Sequence, residues 1–119
     1  MLRIDTHHHV IPPNYRKVLA RSSLLEAGGR ALPEWSAEAS LQAMADLEVG
    51  TAILSVSTPG TAFLPNPADA AALARDLNDY IADVVATQPD RLRRNPFRSH
   101  RCNASATPSA ARCYAASPG

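Results

Sequence analysis

The chain has 119 residues, enough for one ordinary domain, and 45% of them are hydrophobic, the usual proportion for a globular protein. No apolar run approaches the roughly 18 residues that cross a bilayer, and no basic start with a long apolar core marks a signal peptide, so the expectation is a cytoplasmic protein with no membrane partner. The net charge of +1 hides a split: all 11 acidic residues and six of the 12 basic ones precede Arg91, leaving that part at −5, while the other six are arginines in 91–119, which holds no acid and stands at +6. Cys102, Cys113 and His100 also lie in that basic end.

In chain order, Leu2 to Thr6 reads as a first strand, leading into Asp5-Thr6-His7-His8-His9, which holds three of the four histidines. Side chains alternate between the faces of a strand, so His7 and His9 project to one side and His8 to the other. Two imidazoles so placed can reach one metal ion, and zinc, cobalt, nickel and iron all accept imidazole. A catalytic zinc takes about three protein ligands, so the pair alone is an incomplete site, and a solvated histidine cluster or an affinity tag are the other readings of these residues. Asp5 shares parity with His7 and His9; it either orients a ligand or is a buried structural carboxylate with a backbone partner.

Ile11-Pro12-Pro13 ends the strand, and proline suits the first turn of a helix. A helix is expected from Tyr15 to about Glu26, with Val18, Leu19 and Leu25 inward and Gly28-Gly29 as its stop. Arg30 to Trp35 reads as a loop. Ser36 then caps a second helix with Glu38 in its first turn, Leu41, Met44 and Leu47 recur on one face, and Gly50 stands where it stops. Thr51 to Ser57 is a second strand, and Thr58-Pro59-Gly60 turns the chain off it. Asn66-Pro67 opens a third helix whose stripe is Leu73, Leu77, Tyr80, Ile81, Val84 and Val85, closing before Gln88-Pro89-Asp90. Strands alternating with helices in this order predict an α/β protein with parallel strands. Beyond Arg91 neither a period of 2 nor one of 3.6 persists, and an Arg, Ser, Ala and Pro composition buries too little to offset ordering entropy. The expected division is 1–91 as the folded part and 92–119 as a disordered tail.

Ile4-Asp5-Thr6-His7-His8-His9-Val10-Ile11-Pro12-Pro13 resembles the opening of the amidohydrolase superfamily. The likeness is to its amidohydrolase-related branch, which contains aminocarboxymuconate-semialdehyde decarboxylase and the salicylate-type decarboxylases. Leu32-Pro33-Glu34-Trp35-Ser36, Ile53 through Gly60, and Asn78-Asp79-Tyr80 running on to Gln88-Pro89-Asp90-Arg91 are similar to the same branch, so the resemblance covers residues 1 to about 91.

The resemblance implies the N-terminal part of a (β/α)8 barrel with a divalent metal, expected to be zinc, at its C-terminal face. It implies that His7 and His9 are metal ligands and that His8, at a variable position, points away. The implied chemistry is metal-assisted hydrolysis or decarboxylation of a small unsaturated or aromatic carboxylic acid, and Ser57-Thr58-Pro59-Gly60 favours the decarboxylase-like branch. Ser57 or Thr58, at the end of a strand, are candidates to touch substrate, against a capped turn. Arg30 is a candidate to hold a substrate carboxylate bidentately, against a solvent-facing arginine. Trp35 reads as a packing residue.

A full barrel of this type takes about 250 residues, so the implied product is a fragment that is inactive by itself. In the family, Pro-Asp-Arg runs into a strand that usually begins Phe-Gly; here Leu92 and arginines follow, and a one-base shift of the reading frame near codon 91 is the expectation that accounts for the change. The arginines offer no recognition fold for nucleic acid, and the spacing of His100, Cys102 and Cys113 matches no zinc site. The reading from another class is a small non-catalytic metal-binding or interaction domain, stable as a homodimer.

Overall fold

The computed structural model describes residues 3–95. Three parallel strands, β1 (Arg3–Val10), β4 (Val49–Val56) and β5 (Leu92–Arg94), form one sheet in the order β1-β4-β5. Between β1 and β4 lie α1 (Pro13–Arg21), a two-stranded ribbon of β2 (Glu26–Ala27) and β3 (Arg30–Ala31), and α2 (Ala37–Asp46); α3 (Pro67–Thr87) joins β4 to β5. Parallel neighbours joined through helices are the repeating unit of α/β architectures.

The first strand runs four residues past its expected end, through all three histidines to Val10. Pro12 and Pro13 then start α1, which closes at Arg21 rather than near Glu26. Ser23 takes a left-handed φ of 56° and ends it. Gly28 and Gly29, expected as that helix's stop, instead form the two-residue turn of the ribbon, with φ of 60° and 75°. Positive φ at both central positions is the requirement of a tight hairpin turn, which glycine meets without strain. Arg30 and Ala31 thus belong to a strand where a loop was expected.

The side chain of Ser36 accepts from the Ala39 N–H at 3.1 Å and caps α2 as expected. Met44 is buried and Leu41 half-buried, but Leu47 is 63% exposed and outside the core. It follows the last turn, and Glu48, with φ of 56°, turns the chain there, so Gly50 lies in β4 and is not the stop. Asn66 caps α3 through Ala68 N–H at 2.9 Å, Pro67 is its first residue, and Leu73, Leu77 and Ile81 form its buried face.

One layer of core lies between sheet and helices. Val10 of β1, Ala52, Leu54 and Val56 of β4 and Leu92 of β5 meet Tyr15 and Leu19 of α1, Met44 of α2 and the α3 stripe. Leu92 is 1% exposed, so the ordered sheet passes the expected boundary at 91 and takes in Leu92–Arg94 as a third strand. Arg91 supports this junction by donating to the carbonyls of Gly50 at 2.9 Å and Val49 at 3.1 Å. The strand was illegible because three residues carry no period, and its burial comes from its neighbour β4. The rest of the expected tail, with His100, Cys102 and Cys113, lies outside the described residues. Among the described residues no helix is long and apolar enough to cross a membrane.

Candidate metal centre

The sheet places the three histidines through one irregularity. Asp5 pairs with Ala52 and His8 with Leu54, so Thr6 and His7 together stand opposite Ile53. That extra residue is a β-bulge, which re-aims side chains locally. Beyond it His9 pairs with Ser55 and Val10 with Val56. His8 and Val10 therefore share the helix-facing side with Leu54 and Val56, and His7 and His9 face the opposite side with Ser55.

His7 and His9 meet edge to face, ring centroids 4.5 Å apart and planes at 76°. Both are exposed. His9 Nδ1 lies 3.3 Å from Ser55 Oγ, a contact that occupies one ring nitrogen and leaves Nε2 directed elsewhere. His8 is turned away and half-buried, with Nδ1 2.9 Å from Asp5 Oδ2 and Nε2 3.0 Å from Ser40 Oγ. With both nitrogens engaged, His8 has none left for an ion.

The bulge corrects the expected parity of Asp5. Counting alternate residues puts Asp5 on the face of His7 and His9; the extra residue moves it to the face of His8, and its carboxylate bonds there. Asp5 Oδ1 also accepts from the main-chain N–H of His7 at 2.9 Å. That backbone hydrogen bond, with the His8 contact second, holds the Asp5 carboxyl below its ordinary range. Asp5 thus has the expected backbone partner, although it is half-buried rather than buried.

The substrate-binding candidates fall in different places. Ser57 follows β4; its N–H donates to Val10 O at 3.2 Å, and its carbonyl lies 3.2 Å from the Tyr15 hydroxyl. Thr58 is exposed and precedes Pro59 through a cis peptide bond. Both stand just past the end of β4 that carries Ser55, beside His9. Arg30 is exposed on β3, and among the described residues no hydrogen bond or ion pair joins it to the histidines.

Trp35 packs against Tyr80 with centroids 6.2 Å apart, as a packing residue should, but its Nε1–H also donates to Ser40 Oγ at 2.9 Å. Ser40 escaped the sequence reading. Its signal was a hydroxyl four residues before Met44 on the covered face of α2, where a polar atom needs a partner. Tyr15 was missed as well: 0% exposed, its hydroxyl donates to Gly60 O at 2.9 Å.

Among the described residues no group of three or more His, Cys, Asp or Glu is placed to hold a metal ion. Two adjacent imidazoles suit a divalent ion in kind, and they supply part of the three-ligand set that a catalytic site uses. Parallel strands covered by helices, with these rings near the C-terminal end of the first strand, define the N-terminal part of a (β/α)8 barrel of the metal-dependent-hydrolase type.

No family model matches the chain. It is 42% identical over 93 residues to a decarboxylase of Penicillium terrestre, covering 77% of this chain and 27% of the relative. It is 36% identical over 91 residues to 6-methylsalicylic acid decarboxylase of Penicillium expansum, covering 76% of this chain and 28% of that enzyme. Among solved structures it is similar to an amidohydrolase II, with a TM-score of 0.77 and 28% identity over 83% of this chain and 32% of the other. It also shares the fold of 5-carboxyvanillate decarboxylase from Novosphingobium aromaticivorans, solved with manganese and 4-hydroxy-3-methoxy-5-nitrobenzoic acid, with a TM-score of 0.67 and 22% identity over 82% of this chain and 34% of that one. The chain is thus similar to one part of amidohydrolase-superfamily proteins, among them decarboxylases. It spans about a quarter of the length of the curated relatives it matches.

Proposed function

We propose that this chain carries the first metal-binding strand of a decarboxylase acting on a small aromatic carboxylic acid, with His7 and His9 as ligands of a divalent ion. The observation that carries the reading is the edge-to-face pair of imidazoles, 4.5 Å apart, on the face of β1 turned away from the helices. The decarboxylase names of the curated relatives, one of which acts on 6-methylsalicylic acid, support the substrate class.

The chemistry such an ion would supply is polarisation of a substrate oxygen, which would stabilise the electron pair left on the ring when the carboxylate is lost as carbon dioxide and a proton takes its place. The residues of this chain do the positioning. His7 and His9 present imidazole nitrogens, and Ser55 orients the ring of His9 through Nδ1. Ser57 and Thr58, beyond the end of β4, stand where a barrel meets its substrate, and Arg30 is the candidate cation for a carboxylate. Zinc is the tighter ion for such imidazoles by the usual affinity order, and manganese is the ion named for a structural neighbour.

This chain by itself is inactive in our reading, because among the described residues the two imidazoles supply only part of the three-ligand set that a catalytic site uses. The reading from another class is a non-catalytic metal-binding module, functioning as a homodimer in the cytoplasm. Titration of the chain with Zn2+ and Mn2+, beside a carbon dioxide release assay on 6-methylsalicylate and related acids, tests both. Stoichiometric binding that His7→Ala or His9→Ala abolishes, without turnover, is expected. Absence of binding sinks the ligand assignment, and turnover by the isolated chain sinks the inactivity.

A further inference from the structure

The ring pair has a support on the opposite side of its strand. The Trp35 Nε1–H donates to Ser40 Oγ at 2.9 Å, Ser40 Oγ lies 3.0 Å from His8 Nε2, and His8 Nδ1 lies 2.9 Å from Asp5 Oδ2. Asp5 Oδ1 then accepts from the N–H of His7 at 2.9 Å. The direction of each bond follows from chemistry. An ionised carboxylate only accepts, so His8 carries its proton on Nδ1. Indole only donates, so Ser40 accepts from Trp35, and its hydroxyl has a further hydrogen-bonding position to share with His8 Nε2. Each polar group of the chain has a partner within 3.0 Å, and a satisfied network of this kind is rigid.

We infer that Trp35, Ser40, His8 and Asp5 form a positioning relay that ties α2 to the bulge in β1 and sets the main chain of His7 so that its ring stays against His9. A bulged strand has an alternative open to it. If the extra residue at Thr6–His7 is relieved by a one-residue slip, every following side chain changes face. His8 would then take the outward side, and the His7 and His9 rings would turn together toward the helices, away from Ser55. The relay opposes the slip, because His8 reaches Ser40 only from the helix side. Its role toward an ion rests on the metal-ligand reading above; its hold on the ring pair does not.

The test uses the full chain with Ser40→Ala, which deletes the central hydroxyl, and Ser40→Thr, which restores it. Two quantities are measured: the ring contact, read as the nuclear Overhauser contacts of the His9 ring with His7 and with Ser55 in the absence of metal, and the affinity for Zn2+ alone. Thermal midpoints of the metal-free variants report plain loss of stability separately. Ser40→Ala is expected to weaken the ring contact and lower Zn2+ affinity about tenfold, the low end for residues that support a ligand, with Ser40→Thr recovering both. Trp35→Phe, which keeps a ring and removes only the donor, carries the test if Ser40→Ala fails to fold. An unchanged ring contact in the folded variant overturns the relay. If the parent chain binds no Zn2+, the ligand reading fails and the ring contact alone still decides the relay.

Discussion

The hydroxyl of Tyr15 donates to the carbonyl of Gly60 at 2.9 Å and lies 3.2 Å from that of Ser57, which binds the first helix to the loop leaving the central strand. That loop begins beside Ser55 and His9, so the bond shapes the rim of the candidate site. Tyr15→Phe keeps the buried ring and leaves both carbonyls without this donor. A loss of about 1–2 kcal/mol is expected, read as a lower denaturant midpoint with an unchanged slope.

The same residue predicts behaviour in alkali. Burial pushes the Tyr15 hydroxyl up to about 12, against the opposing effect of its bond to Gly60. In the unfolded chain tyrosine ionises near about 10. Between those values the folded chain holds a proton that the unfolded chain has lost, so stability is full below about pH 10 and falls as pH rises toward about 12. Tyr80, also raised by burial and then by the nearby Glu38 charge, adds a smaller decline. Denaturation from pH 8 to 12 should show Tyr15→Phe losing the larger part of that slope.

Leu54 and Leu47 separate buried from exposed apolar residues. Leu54 is 0% exposed at the centre of the sheet, and Leu47 is 63% exposed after α2. Leu54→Ala should cost about 2–5 kcal/mol by leaving a cavity. Leu47→Ala should change stability by no more than about 0.5 kcal/mol, in the same denaturation experiment.

Gly29 holds φ of 75° with open space where a side chain would stand. Gly29→Ala therefore meets no clash and still costs about 1 kcal/mol, because the backbone region itself disfavours a Cβ. The non-native residue should loosen the β2–β3 ribbon first, seen as faster amide exchange at Leu32, whose N–H bonds to Leu25 O at 2.8 Å.

His7→Ala and His9→Ala should each reduce calorimetric binding of Zn2+ or Mn2+ below detection, since neither ring alone chelates. Arg30→Ala, on the exposed ribbon, should leave metal binding unchanged. Equal binding by all three variants would place the ion elsewhere.

What was legible in the residues alone was whatever is local. Asn66-Pro67 and Ser36 announce helix starts because a cap and its N–H lie within three residues of each other. The α3 stripe repeats often enough to define a face, and the opening through Pro13 carries the family likeness. The ribbon was hidden because Gly28-Gly29 is equally good as a helix stop and as a hairpin turn.

The remainder depended on partners distant in the chain. Leu92–Arg94 is a strand only because β4 lies beside it. The face taken by Asp5 was decided by register against Ala52 and Leu54, since one added residue reverses an alternation that the sequence can only count. The amino-acid order determined that two imidazoles would share one face of a strand. Tertiary pairing decided that the third would turn inward to Ser40, because hydrogen-bond geometry between distant segments is not written in the spacing of either one.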